Sequence, residues 1–425
     1  MAKMMSTPKG WRYDRLKDVA AINRRALGAA TDPNYELDYL EISNVNSLGI
    51  VDRSAIEHLR FADAPSRARR RLSEGATIIS SVRPNLQAVA FIGHDDAELI
   101  CSTGFNVVEP VEHKLASRYM YYYLLSDDAM QYFVATAKGV GYPAIDDKEF
   151  STVEIPLPSR AEQEKIAAFL DAKCADIDKA IEAKKKQLEL LENQWKNEIT
   201  RQVIFGGADK RQKTDIVWMP EIKSGWKVIS LKRLLKTRME YGLSEAAELE
   251  DRDLPRYIRI TDFDEDGTLK DETFRSLPIE VAKGAMLEVD DVLFARSGAT
   301  VGKSFIYQGW ETGACFAGYL IRAQTKPWLL NPHYLYYFTK SLAYDAWKGL
   351  IFTQATIQNI SAVKYGSLKM PVPPIDEQSA IVERLNTRRK LMDNLFANLR
   401  KQIEVLTEYR KSLIHEYVTG VRRVA

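Results

Sequence analysis

Two stretches of the chain, each about 45 residues long, carry apolar side chains at spacings that alternate between three and four residues. Glutamate and lysine flank these positions over several turns. Such a stripe is typical of a helix that packs along a partner helix. At about 1.5 Å per residue each helix is roughly 65 Å long, too long to be buried inside one globular unit. The apolar positions are Leu170, Cys174, Ile177, Ile181, Leu188, Leu191 and Trp195 in the first stretch and Ile381, Leu385, Met392, Leu395, Leu399, Ile403, Leu406 and Leu413 in the second.

Each long helix needs a partner, and the obvious partner is the other long helix of the same chain. Pairing with one globular unit at each end favours an antiparallel coiled coil. Except for Cys174, Ile381 and Leu413, the positions named above are the predicted interface of this coiled coil and of its partners. The alternative is a pair of solvated helices bound to another molecule.

The pattern changes outside the two long stretches. Short β-branched runs such as TIIS, VVEPV, YIRIT and SFIY alternate with turn-forming residues and one or two helical stretches. Pro-Leu-Pro at 156–158 and Pro-Val-Pro-Pro at 371–374 can continue neither a strand nor a helix, so each marks a boundary. The pattern therefore predicts mixed α/β units that end where the long helices begin.

The second half of the chain repeats features of the first half at a nearly constant offset. Gly10-Trp11 returns as Gly225-Trp226, and the tyrosine run that begins at Tyr119 returns at Tyr334. A strand-like segment and a proline-rich boundary followed by Glu-Gln return at the same offset. Matches in the same order at nearly constant spacing indicate duplication of one unit.

We therefore predict an α+β protein in which two pseudo-repeated, mixed α/β domains are separated by two long helices that form an antiparallel coiled coil. The predicted boundaries are a first domain at 1–158, a central helix at 159–206, a linker at 207–221, a second domain at 222–374 and a C-terminal helix at 375–425.

Composition narrows the picture only a little. The 60 Lys and Arg residues nearly balance the 58 Asp and Glu residues, so a nucleic-acid surface would have to come from local arrangement. Three distant cysteines suit a reducing cytoplasm, and the five histidines show no metal-ligand spacing. No run of about 18 apolar residues is present, so we expect a cytoplasmic protein without a membrane span.

Two segments resemble enzymatic motifs but lack part of each pattern. Residues 297–304, SGATVGKS, resemble a phosphate-binding loop, yet the first glycine falls one residue late and a strand-like segment follows. An amino-methyltransferase signature is resembled by Asn331-Pro-His-Tyr334 and by the segment at 32–35, but the third residue of the signature is wrong in both. A role as the N-cap of a helix explains Asn331 better. We therefore predict a non-catalytic chain that binds no metal and no cofactor.

Loops at the ends of the strand-like segments 76–81 and 291–296 are candidate DNA contacts. Small polar residues, glycine and arginine there can present N–H groups to phosphates or base edges. A second pair of loops precedes the two proline-rich boundaries. For Arg83 and Arg296, a structural ion pair remains an alternative to DNA contact. For the arginine-rich run at 67–71, a solvated helical face and a phosphate contact both remain open. The candidates are Ser81, Arg83, Asn85, Lys138, Tyr142, Arg296, Ser297, Thr300, Lys303, Gln354, Thr356 and Gln358.

The whole chain resembles the specificity subunits of type I restriction–modification systems. The resemblance is carried by the Gly-Trp at the start of each half, by Ile-Pro-Leu-Pro and Glu-Gln at 155–163, and by MPVPPIDEQ at 370–378. The helix ends ITRQVIFG at 199–206 and LIHEYVTG at 413–420 add to it. Ser-Arg-Ala at 159–161 departs from the family pattern and leaves the start of the first long helix open.

The resemblance implies two target-recognition domains that each bind one half of a split, asymmetric double-stranded DNA sequence. It implies partners as well: two methyltransferase subunits that use S-adenosylmethionine, and restriction/translocase subunits that use ATP and Mg. The alternative is a non-catalytic coiled-coil scaffold whose globular domains bind protein or RNA. A fused restriction and methylation enzyme lacks support, because no glycine-rich S-adenosylmethionine loop is found.

Overall fold

The computed structural model describes residues 8–46, 49–139, 141–264, 267–353 and 359–424. The chain divides into two units. The first unit runs to Lys185 and takes up the chain again from Arg400, and the second comprises Lys186–Leu399. Both long helices cross the boundary at 185/186 or 399/400, so each unit contains a part of each helix.

The first unit holds ten strands and the start of the first long helix within the described residues. The strands are β1 (Arg12–Arg15), β2 (Ala20–Ile22), β3 (Glu36–Leu40), β4 (Glu57–Arg60), β5 (Ala68–Arg71), β6 (Thr77–Ser80), β7 (Val89–Phe91), β8 (Ile100–Ser102), β9 (Phe105–Pro110) and β10 (Glu154–Leu157). The helices are α1 (Leu16–Val19), α2 (Ser117–Leu124), α3 (Asp127–Thr136), α4 (Asp147–Ser151) and α5 (Arg160–Phe205).

The second unit also holds ten strands within the described residues. They are β11 (Arg211–Lys213), β12 (Glu221–Lys223), β13 (Lys227–Ser230), β14 (Glu240–Tyr241), β15 (Arg256–Ile258), β16 (Val292–Ala295), β17 (Ser304–Ile306), β18 (Ala314–Phe316), β19 (Leu320–Ala323) and β20 (Lys369–Val372). The helices are α6 (Ile279–Ala282), α7 (Pro332–Phe338), α8 (Leu342–Thr353), α9 (Ala362–Ser367) and α10 (Ile375–Val418).

The two units share a sheet topology, as the internal repeat predicts. The order β2-β9-β6-β7 in the first unit corresponds to β14-β19-β16-β17 in the second, and β1·β10 corresponds to β13·β20. The registers also correspond, because Thr77 pairs with Phe91 and their counterparts in the repeat, Val292 and Ile306, pair with each other. The units differ beside this shared frame, since β4-β3-β8-β5 has only the two-stranded β15·β18 as its counterpart.

The tyrosine-rich helices α2 and α7 belong to the core. The Tyr119 hydroxyl lies 2.8 Å from Pro156 O and 3.0 Å from Val418 O. In the second unit the Tyr334 hydroxyl makes the equivalent contacts with Pro371 O at 3.2 Å and Val203 O at 2.7 Å. Each tyrosine therefore ties the proline-containing strand to the end of a long helix.

A buried glutamine fixes the start of each long helix. The Gln163 side chain accepts from Ala116 N at 2.8 Å and donates to Pro158 O at 3.1 Å. Gln378 accepts from Asn331 N at 2.8 Å and donates to Pro373 O at 2.9 Å. The Gly-Trp motif joins the same region, because each tryptophan donates its indole N–H to the glutamate that precedes the glutamine.

The two long helices pack together in antiparallel orientation, as predicted. Asp178 near the start of α5 pairs with Arg410 near the end of α10 at 2.9 Å, whereas Glu198 near the end of α5 pairs with Arg388 at 2.8 Å. Residues later in α5 therefore contact residues earlier in α10. Within the described residues, no helix has an apolar stretch long enough to cross a membrane.

One interpretation of the sequence is wrong. The arginine-rich run at 67–71 does not form a solvated helical face, because Ala68–Arg71 is strand β5, antiparallel to β8. Ala68 is fully buried, and a bulge separates it from Arg70 in the pairing with β8. Successive side chains of a strand point to opposite faces of the sheet, so charged residues can stand next to buried ones along the sequence. This pattern does not have the period of a helix.

Candidate nucleic-acid interface

In the first unit, the loop that follows β6 is held against the loop that precedes α4. Ile145 donates its backbone N–H to Ser81 O at 2.9 Å, and Arg83 donates its backbone N–H to Pro143 O at 2.7 Å. Both loops contain candidate DNA contacts. The structure therefore brings together two candidate segments that are far apart along the chain.

Arg83 and Tyr142 form a stacked pair where these two loops meet. The Arg83 guanidinium carbon lies 4.4 Å from the centre of the Tyr142 ring. Arg83 has a φ of 49°, an uncommon conformation for a residue with a side chain, and its bond to Pro143 O helps to hold it. Tyr142 is 74% exposed, so the pair presents an aromatic face and guanidinium N–H groups at the surface.

The other candidates of the first unit have different surroundings. Ser81 donates its hydroxyl to Gly104 O at 2.9 Å and so helps to hold the loop. Lys138 forms an exposed ion pair with Asp146 at 3.3 Å. Asn85 is exposed in the short turn that follows Arg83. Of these three, Asn85 and Lys138 are exposed, and Lys138 is already paired with Asp146.

In the second unit, the loop after β16 is held by the equivalent hydrogen bond. Ile360 donates its backbone N–H to Arg296 O at 2.9 Å, and these two residues are the counterparts in the repeat of Ile145 and Ser81. The Arg296 guanidinium carbon lies 5.1 Å from the centre of the Tyr241 ring. Among the described residues, no carboxylate forms an ion pair with Arg296 or with Arg83.

Two aromatic residues of this second-unit surface were not predicted from the sequence. Tyr241 is 46% exposed, and its hydroxyl accepts from Ala362 N at 3.0 Å. Tyr319 is 60% exposed, and its carbonyl accepts from Arg296 N at 2.9 Å. A tyrosine in or next to a strand is more often a core residue, so the sequence contains no signal that would have separated these two from buried tyrosines.

The remaining second-unit candidates lie on a tight turn. Backbone bonds from Val301 N to Gly298 O at 3.0 Å and from Lys303 N to Thr300 O at 2.9 Å close the turn, and β17 follows it. A phosphate-binding loop would lead into a helix, so this segment differs from that motif as expected. Ser297 pairs with Asn359, Thr300 is partly buried and Lys303 is exposed. Gln354, Thr356 and Gln358 lie outside the described residues.

The predicted coiled-coil positions differ in burial. Leu395 is 48% exposed, whereas its neighbour Phe396 is 8% exposed and takes the inward position. The fully buried positions are Leu170, Ile177, Ile181, Leu385 and Leu399. The partly buried positions are Leu188, Leu191, Trp195, Met392, Ile403 and Leu406.

The titratable groups of the described residues do not form a catalytic arrangement. Burial raises the pKa of the Cys101 thiol to about 12 and that of Cys315 to about 12, so these thiols stay protonated at neutral pH. No group of three or more His, Cys, Asp or Glu side chains within the described parts of the chain is placed to hold a metal ion. His58 instead lies against the carboxylates of Asp38 and Glu36, and His94 lies against that of Glu74.

Comparison with known proteins decides the family. Residues 8–193 and 223–405 each match the family model of the type I restriction modification DNA specificity domain. The chain belongs to this family. A specificity subunit of a type I restriction–modification system determines where the DNA is recognised and is not itself the catalyst. The two matches begin at corresponding positions of the internal repeat.

Relatives and a solved structure agree with this assignment. The chain is 24% identical over 445 residues to the type I restriction enzyme MjaIX specificity subunit of Methanocaldococcus jannaschii, covering 98% of this chain and 94% of the relative. It is 25% identical over 324 residues to the MjaVIII specificity subunit of the same organism, covering 72% and 70%. A chain from a solved structure on complex assembly and conformational transition of the type I R-M system shares the fold, with a TM-score of 0.70, 22% identity and coverage of 98% and 99%.

Proposed function

We propose that this specificity subunit recognises an asymmetric, two-part DNA sequence, with one half-site for each unit. The observation that carries the proposal is the equivalent bond in the two units, Ile145 N to Ser81 O and Ile360 N to Arg296 O. The loops are held in the same way, but the side chains that they present differ. A common frame with different hydrogen-bond donors is what two different half-sites require.

The loops of each unit carry groups suited to base edges and phosphates. An arginine fork can donate two hydrogen bonds to the O6 and N7 atoms of guanine, and Arg83 and Arg296 are both free of carboxylate partners among the described residues. Asn85 and Lys303 are exposed beside these arginines. We assign direct base contacts to the arginines and supporting contacts to the neighbouring polar residues.

The partners and cofactors belong to the same proposal. Two methyltransferase subunits and the restriction/translocase subunits would dock on this chain, and S-adenosylmethionine, ATP and Mg would be bound by those subunits in the cytoplasm. The long helices support docking, because Leu391, Leu395, Val405 and Tyr409 of α10 remain 48–63% exposed outside the contact with α5. Exposed apolar side chains on a helix are typical of a surface that another helix covers.

The antiparallel helices would set the distance between the half-sites. Helices of 46 and 44 residues are stiff at this length, and one duplex turn measures about 34–36 Å. A pair of helices roughly 65 Å long can therefore hold two recognition units over sites one or two turns apart. This spacing would appear as a fixed gap of unspecified bases.

Selection from random duplex DNA tests the proposal. The chain is co-expressed with its neighbouring methyltransferase subunit, the complex is bound to the random pool, and the retained DNA is sequenced. We expect a split motif with a constant gap between two different half-sites. A single short motif would mean that one unit alone recognises DNA, and no enrichment by a folded complex would favour the scaffold alternative.

A further inference from the structure

The surface of the first unit carries three arginines on and beside strand β5. Arg67, Arg69 and Arg71, here called the arginine patch, are all at least partly exposed. β5 is the outer strand of the sheet β4-β3-β8-β5, and the segment at 25–27 runs beside it. Leu27 N bonds to Arg69 O at 2.7 Å, which fixes the backbone of the patch.

Aromatic rings support two of the three guanidinium groups. The guanidinium carbon of Arg69 lies 4.3 Å from the centre of the Phe61 ring, and that of Arg71 lies 5.6 Å from the centre of the Tyr35 ring. Phe61 N donates to Tyr35 O at 2.8 Å, so the backbones that carry the two rings are joined. Stacking orients a guanidinium and leaves N–H groups that can bind an anion, and in Arg69 one Nη1 hydrogen is used by Ala68 O at 2.8 Å.

The charge of the arginine patch is not neutralised within the described residues. No carboxylate there forms an ion pair with Arg67, Arg69 or Arg71. Nearby arginines of the same unit differ, because Arg53 pairs with Asp96 at 2.6 Å. Three arginines without a carboxylate partner, on and directly before one strand, form a concentrated positive surface in a chain whose total charge is almost balanced.

The arginine patch is connected to the first-unit loops that we assign to DNA recognition. Arg70, between the patch residues, turns the other way and reaches Asp147 at 4.0 Å. Asp147 is the first residue of α4, directly after the loop that contains Tyr142. An ion pair therefore joins the strand that bears the patch to the first residue of α4.

We propose that the arginine patch binds the phosphate backbone of duplex DNA beside the first half-site, without distinguishing its bases. This inference rests on the proposed function and deepens it. Stacked, unpaired guanidinium groups match the geometry of phosphate oxygens, and contacts to phosphate fix position on the duplex without carrying sequence information.

The three residues of the arginine patch have uncharged counterparts at the offset of the repeat. The offset that takes Trp11 to Trp226 takes the arginine patch to Ala282, Gly284 and Met286, none of which carries a charge. Strand β5 itself has no counterpart in the two-stranded β15·β18 of the second unit. The backbone contact beside the first half-site accordingly has no equivalent at these positions of the second unit.

The salt dependence of DNA binding tests the inference. The full chain, co-expressed with its methyltransferase subunit, is titrated with the selected duplex and with an unrelated duplex at several salt concentrations. The double variant Arg69→Gln/Arg71→Gln should make the negative slope of log K against log salt shallower by about 0.9 for each lost phosphate contact, equally for both duplexes. Arg53→Gln is the matched control, since it removes one charge from the same unit at a residue already paired with Asp96.

Two further variants separate charge from folding. Arg67 has no aromatic ring under its guanidinium among the described contacts, so Arg67→Gln should lower the slope by about 0.9 without disturbing the stacked pair. Arg69→Lys/Arg71→Lys should preserve the slope, because the charges are kept. Unchanged slopes in Arg67→Gln and in a folded double Gln variant would overturn the inference, and so would a loss confined to the selected duplex.

The test also distinguishes this inference from the proposed function. Non-selective binding to the unrelated duplex still reports on phosphate contacts if the chain selects no sequence. A reduced slope without sequence selection would support the arginine patch and contradict the two-part recognition. Sequence selection with an unchanged slope would support the two-part recognition and contradict the role of the arginine patch.

Discussion

Arg83 and Arg296 show how the same frame can present different chemistry. Each lies in the loop after an equivalent buried strand, but Arg83 stacks on Tyr142, whereas Arg296 stacks on Tyr241. Tyr142 comes from the loop before α4, and Tyr241 comes from an edge strand. The orientation of each guanidinium is therefore set by a different part of its unit, so changes in one unit need not alter the other.

Arg83→Ala and Arg296→Ala should each weaken binding at one half-site only. Loss of a bidentate contact to a base costs about 1–3 kcal/mol and relaxes the base preference at that position. Binding of duplexes mutated in either half-site measures the effect for each variant. An equal loss at both half-sites for Arg296→Ala would point to a folding defect instead.

Gln378 is a residue whose loss should destabilise the second unit. Gln378→Ala leaves Asn331 N and the carbonyls of Leu329 and Pro373 without their partner. An unpaired buried polar group costs about 1–3 kcal/mol, but only the bond to Pro373 O is fully buried and water can reach the other two groups in part, so we expect a total loss of roughly 2–4 kcal/mol. Urea unfolding followed by tryptophan fluorescence reports on this unit, because six of the seven tryptophans lie in it.

The control for Gln378 is an exposed glutamine of the second unit. Gln187→Ala makes the same chemical change on the surface of α5, and we expect less than about 0.5 kcal/mol. If the two variants lose the same free energy, the buried bonds of Gln378 do not fix the helix start.

Lys340 should make the stability of the second unit depend on pH. Burial, together with Arg389, Lys348 and Lys303, lowers the pKa of Lys340 to about 7, while Asp345 acts in the opposite direction. The unfolded lysine keeps its proton up to about pH 10.5, so between pH 7 and 10.5 the unfolded state binds more protons and stability rises with pH. Below pH 7 both states are protonated and this contribution no longer changes.

Lys340→Met removes the titrating group and should flatten this rise. Unfolding free energies between pH 7 and 9.5 measure the slope for the wild type and the variant. Lys364→Met is the matched control, because Lys364 is exposed on α9 of the same unit. The same slope in the wild type and in Lys340→Met would show that Lys340 is charged in the folded protein.

At the scale of the elements, the long helices contact each other through ion pairs that differ in how deeply they are buried. Arg410 is 7% exposed where it meets Asp178, whereas the Arg388 side chain is 60% exposed where it meets Glu198. The contribution of an ion pair depends more on what is left unpaired after its removal than on the distance between the charges. The two pairs should therefore differ in importance although their lengths are similar.

Arg410→Met should destabilise the first unit far more than Arg388→Met destabilises the second. Removing one partner of a fully buried pair costs about 3–5 kcal/mol, and because Asp178 is 31% exposed the cost here should be smaller, about 2–3 kcal/mol. An exposed pair contributes about 0–1 kcal/mol. Thermal unfolding by circular dichroism of the two variants provides the comparison, and equal shifts in Tm would contradict the difference in burial.

Burial along the helices also shows the limits of a sequence pattern. The three-and-four spacing predicted both helices, and the globular unit at each end predicted their antiparallel pairing, but the spacing selected Leu395, which is 48% exposed, and not Phe396, which is buried. An α-helix has 3.6 residues per turn, so a stripe drawn at 3.5 drifts around the helix over several turns. The neighbour that faces inward is then decided by the partner helix.

At the scale of the whole molecule, the duplication is a structural unit as well as a sequence repeat. Each unit combines the start of one long helix with the end of the other, so neither unit is a continuous stretch of chain. Tyr119 meets the end of α10, and Tyr334 meets the end of α5. Matched changes in both helices should therefore be tolerated better than a change in one.

A heptad inserted into both long helices should lengthen the gap between the half-sites. Seven residues add about 10.5 Å, which corresponds to roughly three base pairs. A heptad inserted into 160–205 alone should disturb assembly, because the α5 positions no longer face their partners on α10. Selection from random duplex DNA with each variant measures the gap, and an unchanged gap after matched insertions would contradict the role of the helices as a spacer.

The sequence alone determined the duplication, the two long helices and, through its resemblance to known proteins, the family. These properties depend on residue spacing and on repeated motifs, which are visible along a single chain. The tertiary structure decided the pairing of loops that are distant in sequence, the exposure of Tyr241 and Tyr319, and the strand that carries the arginine patch. Those properties depend on which distant segments exclude water and share hydrogen bonds, and such contacts leave no periodic signal in the sequence.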